Sequence, residues 1–182
     1  MRIIAIIAGA LMISLSGYAQ GTVNFANIVP AAGINAKITG WNGEGWTGPN
    51  YLVQLYAGPA GSTDSQLMAI SPPARFLDGP GAGYFSAGTR TLPNVAPGAP
   101  AVVQVRAWDV TTGATWETAT VKGVSALLNV AATGGGSPPV LPANLVGLQG
   151  FSIIPEPTAV PLALLGGLAL LFQRRSRLLR TA

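Results

Sequence analysis

The stretch Ala101–Asp109 reads AVVQVRAWD, and it decides the fold class of this chain. Apolar residues alternate along it, so that Val103, Val105 and Ala107 share one face of an extended segment. The other face carries Val102, Gln104, Arg106 and Trp108. A period of two, with β-branched and aromatic residues, predicts a β-strand.

Shorter segments of the same kind lie on both sides of it, separated by Gly, Pro and Asn clusters. They cover residues 22–25, 51–56, 67–70, 84–85, 90–92, 116–121 and 151–153. We expect 67–70 to return antiparallel to 51–56, and 84–85 to pair with 90–92 around 86–88. Residues 116–121 are the expected hairpin partner of 101–109, across a turn at 111–114.

No helical periodicity of useful length occurs between Gln20 and Ile154. Residues 124–130 are compatible with a strand or a single helical turn, and the Gly/Pro-rich residues 131–142 predict a loop. About eight short strands at this spacing predict an all-β fold, an antiparallel β-sandwich of the jelly-roll or immunoglobulin-like type.

Composition removes several classes of protein. Apolar residues make up 49% of the 182 residues and charged residues only 9%, with 24 Gly and 15 Pro. High apolar content with little charge excludes charge-driven disorder, and the lack of a Gly at every third position excludes collagen. The chain has no His and no Cys, which excludes Cys/His metal sites, disulfides, thiol nucleophiles and His-based triads.

The positive charge belongs to the two ends of the chain. The formal net charge is +4, but the segment between Gln20 and Ile154 holds five basic and five acidic residues and is neutral. Nucleic-acid binding needs clustered Lys and Arg on a folded surface. We therefore expect no nucleic-acid partner.

The first 19 residues have the pattern of a secretory signal peptide. Arg2 precedes a continuous apolar run over residues 3–15, and small residues Gly17 and Ala19 occupy the −3 and −1 positions of a cut after residue 19. An uncleaved anchor is the alternative, but the run is shorter than the ~20 residues that span a bilayer. The pattern predicts cleavage by signal peptidase and export.

The C-terminal segment 155–182 combines three features. Pro155, Glu156 and Pro157 precede an apolar run over residues 159–172, and Arg174 and Arg175 follow. Two prolines around one residue favour an extended, accessible segment that an enzyme can grip. At 1.5 Å per residue a helix over 158–172 covers only about 22 Å, so it predicts a transient membrane segment, with cytoplasmic arginines, rather than a permanent anchor.

This tripartite tail resembles the PEP-CTERM sorting signal. The resemblance covers Pro155, Glu156 and Pro157, the helix from Thr158, and Arg174 and Arg175. It implies recognition by exosortase, a membrane-embedded protease of Gram-negative bacteria that make exopolysaccharide. Ile154 and Thr158 stand where the family commonly has Val and Ser. A Pro-rich spacer before a plain tail anchor is the alternative.

Between residues 20 and 154 there are few side chains that could catalyse a reaction or bind a metal ion. Asp109 and Glu117 are the closest carboxylate pair in the predicted hairpin, and a hydrolase would need them in one cleft, no more than about 10 Å apart. Two solvated charges at strand ends, facing Arg106, are the favoured interpretation. No Gly-x-Ser-x-Gly motif and no acidic cluster for calcium is present, so we expect no enzyme, no cofactor and no metal site.

Trp41 and Trp46 enclose a flexible loop that contains Glu44. Exposed indole faces beside polar side chains are what sugar-binding sites use, although packing of one or both rings in the core is the favoured interpretation.

The sequence thus predicts a signal peptide (1–19), a β domain (20–154) and a sorting tail (155–182). The expected function is that of an exported, non-enzymatic envelope or matrix protein, with a carbohydrate-binding module for extracellular polysaccharide as the alternative.

The boundary between the β domain and the tail gives a further expectation. If the tail is removed after sorting, the fold must be complete before Pro155. Phe151 and Ile153 are then the last buried side chains, with Ser152 facing outward.

Overall fold

A computed structural model describes residues 20–155 of the chain. This part is mostly β-sheet, and its helical segments are three short 3-10 turns at Pro30–Ala32, Asp64–Gln66 and Gly79–Gly81. The predicted all-β class is confirmed at this level. Residues 1–19, the predicted signal peptide, and residues 156–182 of the predicted sorting tail lie outside the described residues.

The described residues form twelve strands. In chain order they are β1 (Gly21–Ala26), β2 (Ile28–Val29), β3 (Ile34–Asn35), β4 (Thr39–Gly40), β5 (Tyr51–Pro59), β6 (Met68–Arg75), β7 (Ser86–Leu92), β8 (Ala101–Asp109), β9 (Val121–Val124), β10 (Leu128–Val130), β11 (Ala143–Asn144) and β12 (Ser152–Pro155).

The largest sheet has the order β4-β12-β9-β8-β5-β6, and β10 pairs with β8 beyond the end of β9. At its centre β5 and β8 pair antiparallel over nine residues each, from Tyr51 opposite Asp109 to Pro59 opposite Ala101. A smaller sheet has the order β11-β1-β7, and β2 pairs with β3. Strand β6 returns antiparallel to β5, as the sequence predicts.

The main core draws side chains from both of these sheets. Phe25 on β1 and Leu92 on β7 belong to the same buried cluster as Leu55 on β5, Val105 on β8 and Ile153 on β12. Phe25 also packs against Phe85, with ring centroids 4.5 Å apart. The faces that carry Val23 and Phe25 on β1, and Val103, Val105 and Ala107 on β8, are therefore the ones that pack in the main core.

The opposite face of β8 is buried as well. Val102 packs with Tyr56 and Leu67 in a second cluster, and Arg106 and Trp108 are also buried. Residues 60–67 and the connection 110–120 supply groups that contact this face, such as Asp64 and Trp116. We call it the outer face of the large sheet below.

Two strand predictions are wrong. Residues 84–85 and 90–92 do not pair with each other, because Ser86–Leu92 is one strand that pairs with β1. The expected turn is a bulge instead: the ladder shifts register between Asn24 and Ala26, and Gly88 adopts a φ of 70° beside it. A glycine with positive φ suits a bulge as well as a turn.

The hairpin partner of β8 is Val121–Val124 rather than residues 116–121. Asp109 accepts hydrogen bonds from the backbone and the hydroxyl of Thr111, and the hydroxyl of Thr112 accepts one from the Val121 backbone. These side chains satisfy the backbone of a longer connection, so the β8–β9 ladder begins only at Lys122, opposite Trp108. Residues 124–130, left open between strand and helix, contain strand β10.

The boundary with the tail needs a small correction. Ile153 is fully buried and Ser152 is exposed, as expected, while Phe151 is only partly buried. Strand β12 continues through Pro155, which pairs with Val121, so the fold includes the first residue of the triplet. Proline lacks a backbone N–H, and it fits here because it occupies the last position of the strand.

Candidate functional site

The first candidate site is the loop that follows β4. The backbone N–H of Gly40 donates to the Glu44 carbonyl at 2.8 Å, and that of Gly43 donates to Gly40 at 3.0 Å. The Asn42 amide donates to the Glu44 carboxylate at 2.9 Å. Gly43, with a φ of 79°, permits the tight reversal. The turn therefore holds Glu44 and Asn42 together at the surface.

The two tryptophans of this loop have different environments. Trp46 is 9% exposed, belongs to the main core and stacks on Tyr51 with ring centroids 3.9 Å apart. Trp41 is 76% exposed. The interpretation of Trp46 as a core side chain is therefore the one that the geometry supports, whereas Trp41 presents its indole to solvent.

These residues line a shallow cavity of about 220 Å³. Its lining includes Trp41, Asn42, Glu44, Thr47 and the edge formed by Trp46 and Tyr51. An exposed aromatic ring beside amide, carboxylate and hydroxyl groups can stack on the C–H face of a sugar and hydrogen-bond its hydroxyls. Of the predicted glycan-binding residues, the structure brings all three together, but only Trp41 offers a free ring.

Asp109 and Glu117 have separate partners. Asp109 accepts from Thr111 at 2.9 Å and 2.7 Å, within its own turn. Glu117 accepts from the Tyr56 hydroxyl at 2.7 Å, and one of its oxygens lies 4.0 Å from Arg106. Both carboxylates are thus engaged in structural contacts, and Glu117 faces Arg106 as the sequence analysis expected.

A cluster around Arg106 is the most elaborate polar arrangement that sequence reasoning missed. The Arg106 guanidinium lies 4.0 Å from the Tyr56 ring centroid and 4.4 Å from that of Trp116. It also donates to Gln104 at 2.8 Å and to the carboxylate of Asp64 at 3.1 Å. Only the alternation that placed Arg106 on the same face as Gln104 signalled this, because Tyr56 lies on the neighbouring strand β5 and Asp64 and Trp116 lie in connections outside β8.

The cluster shifts the pKa values of two of its members. Burial, and then the hydrogen bond to Glu117, raise the pKa of the Tyr56 hydroxyl well above its usual value. The hydrogen bond from Tyr56 is the largest cause that lowers the pKa of Glu117. A neutral phenol thus donates to an ionised carboxylate at neutral pH, which is a stabilising arrangement rather than one poised for proton transfer.

Within residues 20–155, His, Cys, Asp and Glu side chains form no group of three or more that could hold a metal ion. The same residues contain no helix whose length and apolar character would let it cross a membrane. Glu156, Pro157, Arg174 and Arg175 lie outside the described residues, and Pro155 is the one sorting-signal residue within them.

Comparison of the chain with protein-family models, with curated proteins and with solved structures finds no match.

Proposed function

We propose that this chain is an exported, non-enzymatic protein of the cell envelope or extracellular matrix. Its tail is a sorting signal of the PEP-CTERM type, processed by an exosortase after signal peptidase has removed residues 1–19. The tripartite tail, with Pro155, Glu156 and Pro157 before an apolar run and arginines, is the observation that carries the proposal. Residues 158–172 hold the precursor in the membrane transiently, and the β domain is then left at the cell surface or in the matrix.

The folded part and the composition of the chain support this proposal. Pro155, the first residue of the triplet, lies on β12 and is exposed. Side chains of both main sheets pack in one core, which supports a β-sandwich of the jelly-roll or immunoglobulin-like type as the exported domain. The lack of His and Cys and the structural engagement of Asp109 and Glu117 support a role without catalysis.

The intact mass of the extracellular form tests the processing step. A host with an exosortase should yield a mature protein that lacks residues 1–19 and also the arginines from Arg174 onward. A Glu156→Ala change should slow the loss of the tail, whereas Glu44→Ala, the same change in an exposed loop, should leave it unaffected. A mature protein that keeps residues 174–182 in that host would refute the proposal.

A second candidate function is carbohydrate binding by the Trp41 loop. The observation in its favour is the 76% exposed Trp41 beside Asn42 and Glu44 in one cavity. A neutral β domain suits an uncharged glycan. We expect Trp41→Ala to weaken binding to matrix polysaccharide at least tenfold, about the 1–3 kcal/mol that one stacked ring contributes. Affinity electrophoresis, with Leu141→Ala as the control at another exposed apolar position, measures this effect.

A further inference from the structure

An apolar groove lies on the outer face of β9 and β12, where the described chain ends. Its volume is about 400 Å³, and its lining includes Trp116, Lys122, Val124, Ile154 and Pro155. Val124 is 40% exposed and Ile154 is 56% exposed. The adjacent part of the outer face, on β8, is covered, so the groove is the place where this face opens to the surroundings.

Register explains why these side chains share the groove. Ile154 pairs with Lys122 on the neighbouring strand, while the next residue on each strand points the other way. A Cβ on Gly123 would lie 3.0 Å from the buried Ile153 side chain, which places Gly123 on the core side. The alternation therefore leaves Val124 and Ile154 on the side opposite the core.

We propose that this groove lies against the lipid bilayer surface while the precursor is attached to the membrane. The inference rests on the proposed function, because it takes residues 158–172 as the membrane segment. It adds that the β domain itself contacts the headgroup layer through Trp116, Lys122, Val124 and Ile154.

The position of the groove in the chain supports a lipid surface. Pro155 lines the groove, and the apolar run begins four residues later, at Ala159. Since an extended chain advances at most about 3.6 Å per residue, the groove is within about 15 Å of the start of that run. The headgroup layer on each side of a bilayer is about 5–8 Å thick. A surface tethered this closely stays next to the headgroups.

The chemistry of the groove fits an anionic bilayer. Lysine places an apolar stem in the interface and its charged end near water, while the Trp116 ring, whose N–H donates to the Gly123 carbonyl, and the aliphatic side chains add apolar contact. The Lys122 ammonium lies 4.7 Å from the Trp116 ring, so aromatic and cationic groups meet at one spot.

Single-cysteine labelling of the full chain tests the proposal, because the chain contains no native Cys. Val124→Cys and, as a matched control, Val140→Cys carry the same environment-sensitive fluorophore. Val140 is 63% exposed and pairs with Gly135, in a loop whose Gly134 pairs with Thr22 on β1 of the smaller sheet. Both proteins are reconstituted into vesicles of phosphatidylcholine and phosphatidylglycerol, and flotation confirms that each is attached.

We expect nitroxide-bearing lipids to quench the label at 124 several-fold more than the label at 140, and aqueous iodide to show the reverse order. Equal quenching at the two positions would overturn the proposal. Protection of position 124 from both quenchers would also overturn it, since the groove would then be filled by protein, either the tail or a second copy. A chain that fails to float refutes the membrane segment itself, and with it this inference, whereas a floating chain with an exposed groove refutes the inference alone.

Discussion

Asn27 is a buried polar side chain that joins three segments of the chain. Its amide donates to the carbonyls of Ala36 at 2.7 Å and Gly83 at 3.0 Å, and its oxygen accepts from the Phe85 backbone at 2.7 Å. All the hydrogen-bonding groups involved are buried, so removing the side chain leaves several of them without a partner.

We therefore expect Asn27→Ala to lower the free energy of unfolding by about 3 kcal/mol, since each net hydrogen bond is worth about 1 kcal/mol. Asn129→Ala, at an exposed position of β10, is the control and should change stability by no more than about 0.5 kcal/mol. Urea unfolding followed by fluorescence measures both. An Asn27→Ala protein as stable as the control would show that water replaces the lost partners.

Arg106 is the residue on which the outer-face cluster depends. Its guanidinium stacks near two rings and donates to Asp64 and Gln104, geometry that lysine cannot reproduce. We expect Arg106→Lys to cost about 1 kcal/mol and Arg106→Ala to cost about 2–3 kcal/mol, through lost stacking and packing, because the Asp64 and Glu117 carboxylates are more than half exposed and lose little when the ion pairs are removed. Arg75→Ala, at an exposed position of β6, should be close to neutral. Indistinguishable unfolding midpoints for all three would contradict a structural role for the cluster.

The Tyr56–Glu117 hydrogen bond predicts a pH dependence of stability at both ends of the scale. Because the pKa of Glu117 is lowered on folding, its contribution is present above its unfolded pKa, near 4.5, and is lost as the pH falls through the folded value. Because the pKa of Tyr56 is raised on folding, its contribution is full below its unfolded pKa of 10 and is lost as the pH rises above that value.

Glu117→Gln should consequently flatten the acid side of the stability curve, and Tyr56→Phe should flatten the alkaline side. The acid effect is small because Glu117 is more than half exposed. Thermal melts from pH 3 to pH 11 measure both effects, with the unchanged protein as reference. A wild-type curve that already shows no loss above pH 10 would contradict the raised pKa of Tyr56.

At the scale of elements, Gly123 allows β9 and β12 to approach closely. A Cβ at this position would lie 2.8 Å from the Ser152 carbonyl oxygen and 3.1 Å from the Ile153 Cα, both backbone atoms. Gly88 is different: it adopts a φ of 70°, but its missing Cβ would meet nothing within 4 Å. Gly123 is therefore required because a side chain would not fit between the strands, whereas Gly88 is required because its backbone conformation is unfavourable for other residues.

We expect Gly123→Ala to weaken the β9–β12 ladder and to cost about 1–3 kcal/mol, as overpacking of a close contact does. Amide hydrogen exchange of Ile153 and Ile154 should accelerate in this variant. Gly88→Ala should cost about 1–2 kcal/mol through its backbone conformation, without affecting those amides. Unchanged protection of β12 in Gly123→Ala would show that the strands can move apart without loss.

Some strands and their boundaries can be predicted from the sequence, and others cannot. Strands with a clear period of two, such as β1, β5 and β8, are visible because local patterning alone places their side chains. The partner of β8 and the single strand β7 are not, because the Thr111 and Thr112 side chains and the bulge at Gly88 move the boundaries. For the site, the sequence places Trp41 and Trp46 around one loop but does not show which ring is exposed, whereas the Arg106 cluster depends on contacts with Tyr56 and Asp64, which are far from it in sequence.

At the scale of the whole molecule, the fold should not depend on the tail beyond Pro155. The last pair of β12 joins Pro155 to Val121, and Ile153 is the last fully buried side chain. We expect a chain that ends at Pro155 to melt within a few degrees of the full precursor. A chain that ends at Gly150 loses β12 and should melt lower by well over the 4–8 °C that corresponds to about 1 kcal/mol.

Circular dichroism melts of the two truncated chains, both without residues 1–19, measure this difference. A large loss of stability on ending at Pro155 would mean that part of the tail belongs to the fold. The division of the chain into a lasting β domain and a removable sorting tail would then be wrong.

Any tension on the tail enters the folded domain at Pro155. The strand that receives it is an interior one, paired in parallel with β4 through Ser152 and Ile153 and antiparallel with β9 through Ile154 and Pro155. A pull along this strand loads both ladders in shear and must also withdraw Ile153 from the core, so several contacts have to break together. While the precursor is tethered, the domain therefore resists a force directed along β12 better than one that peels the strand sideways.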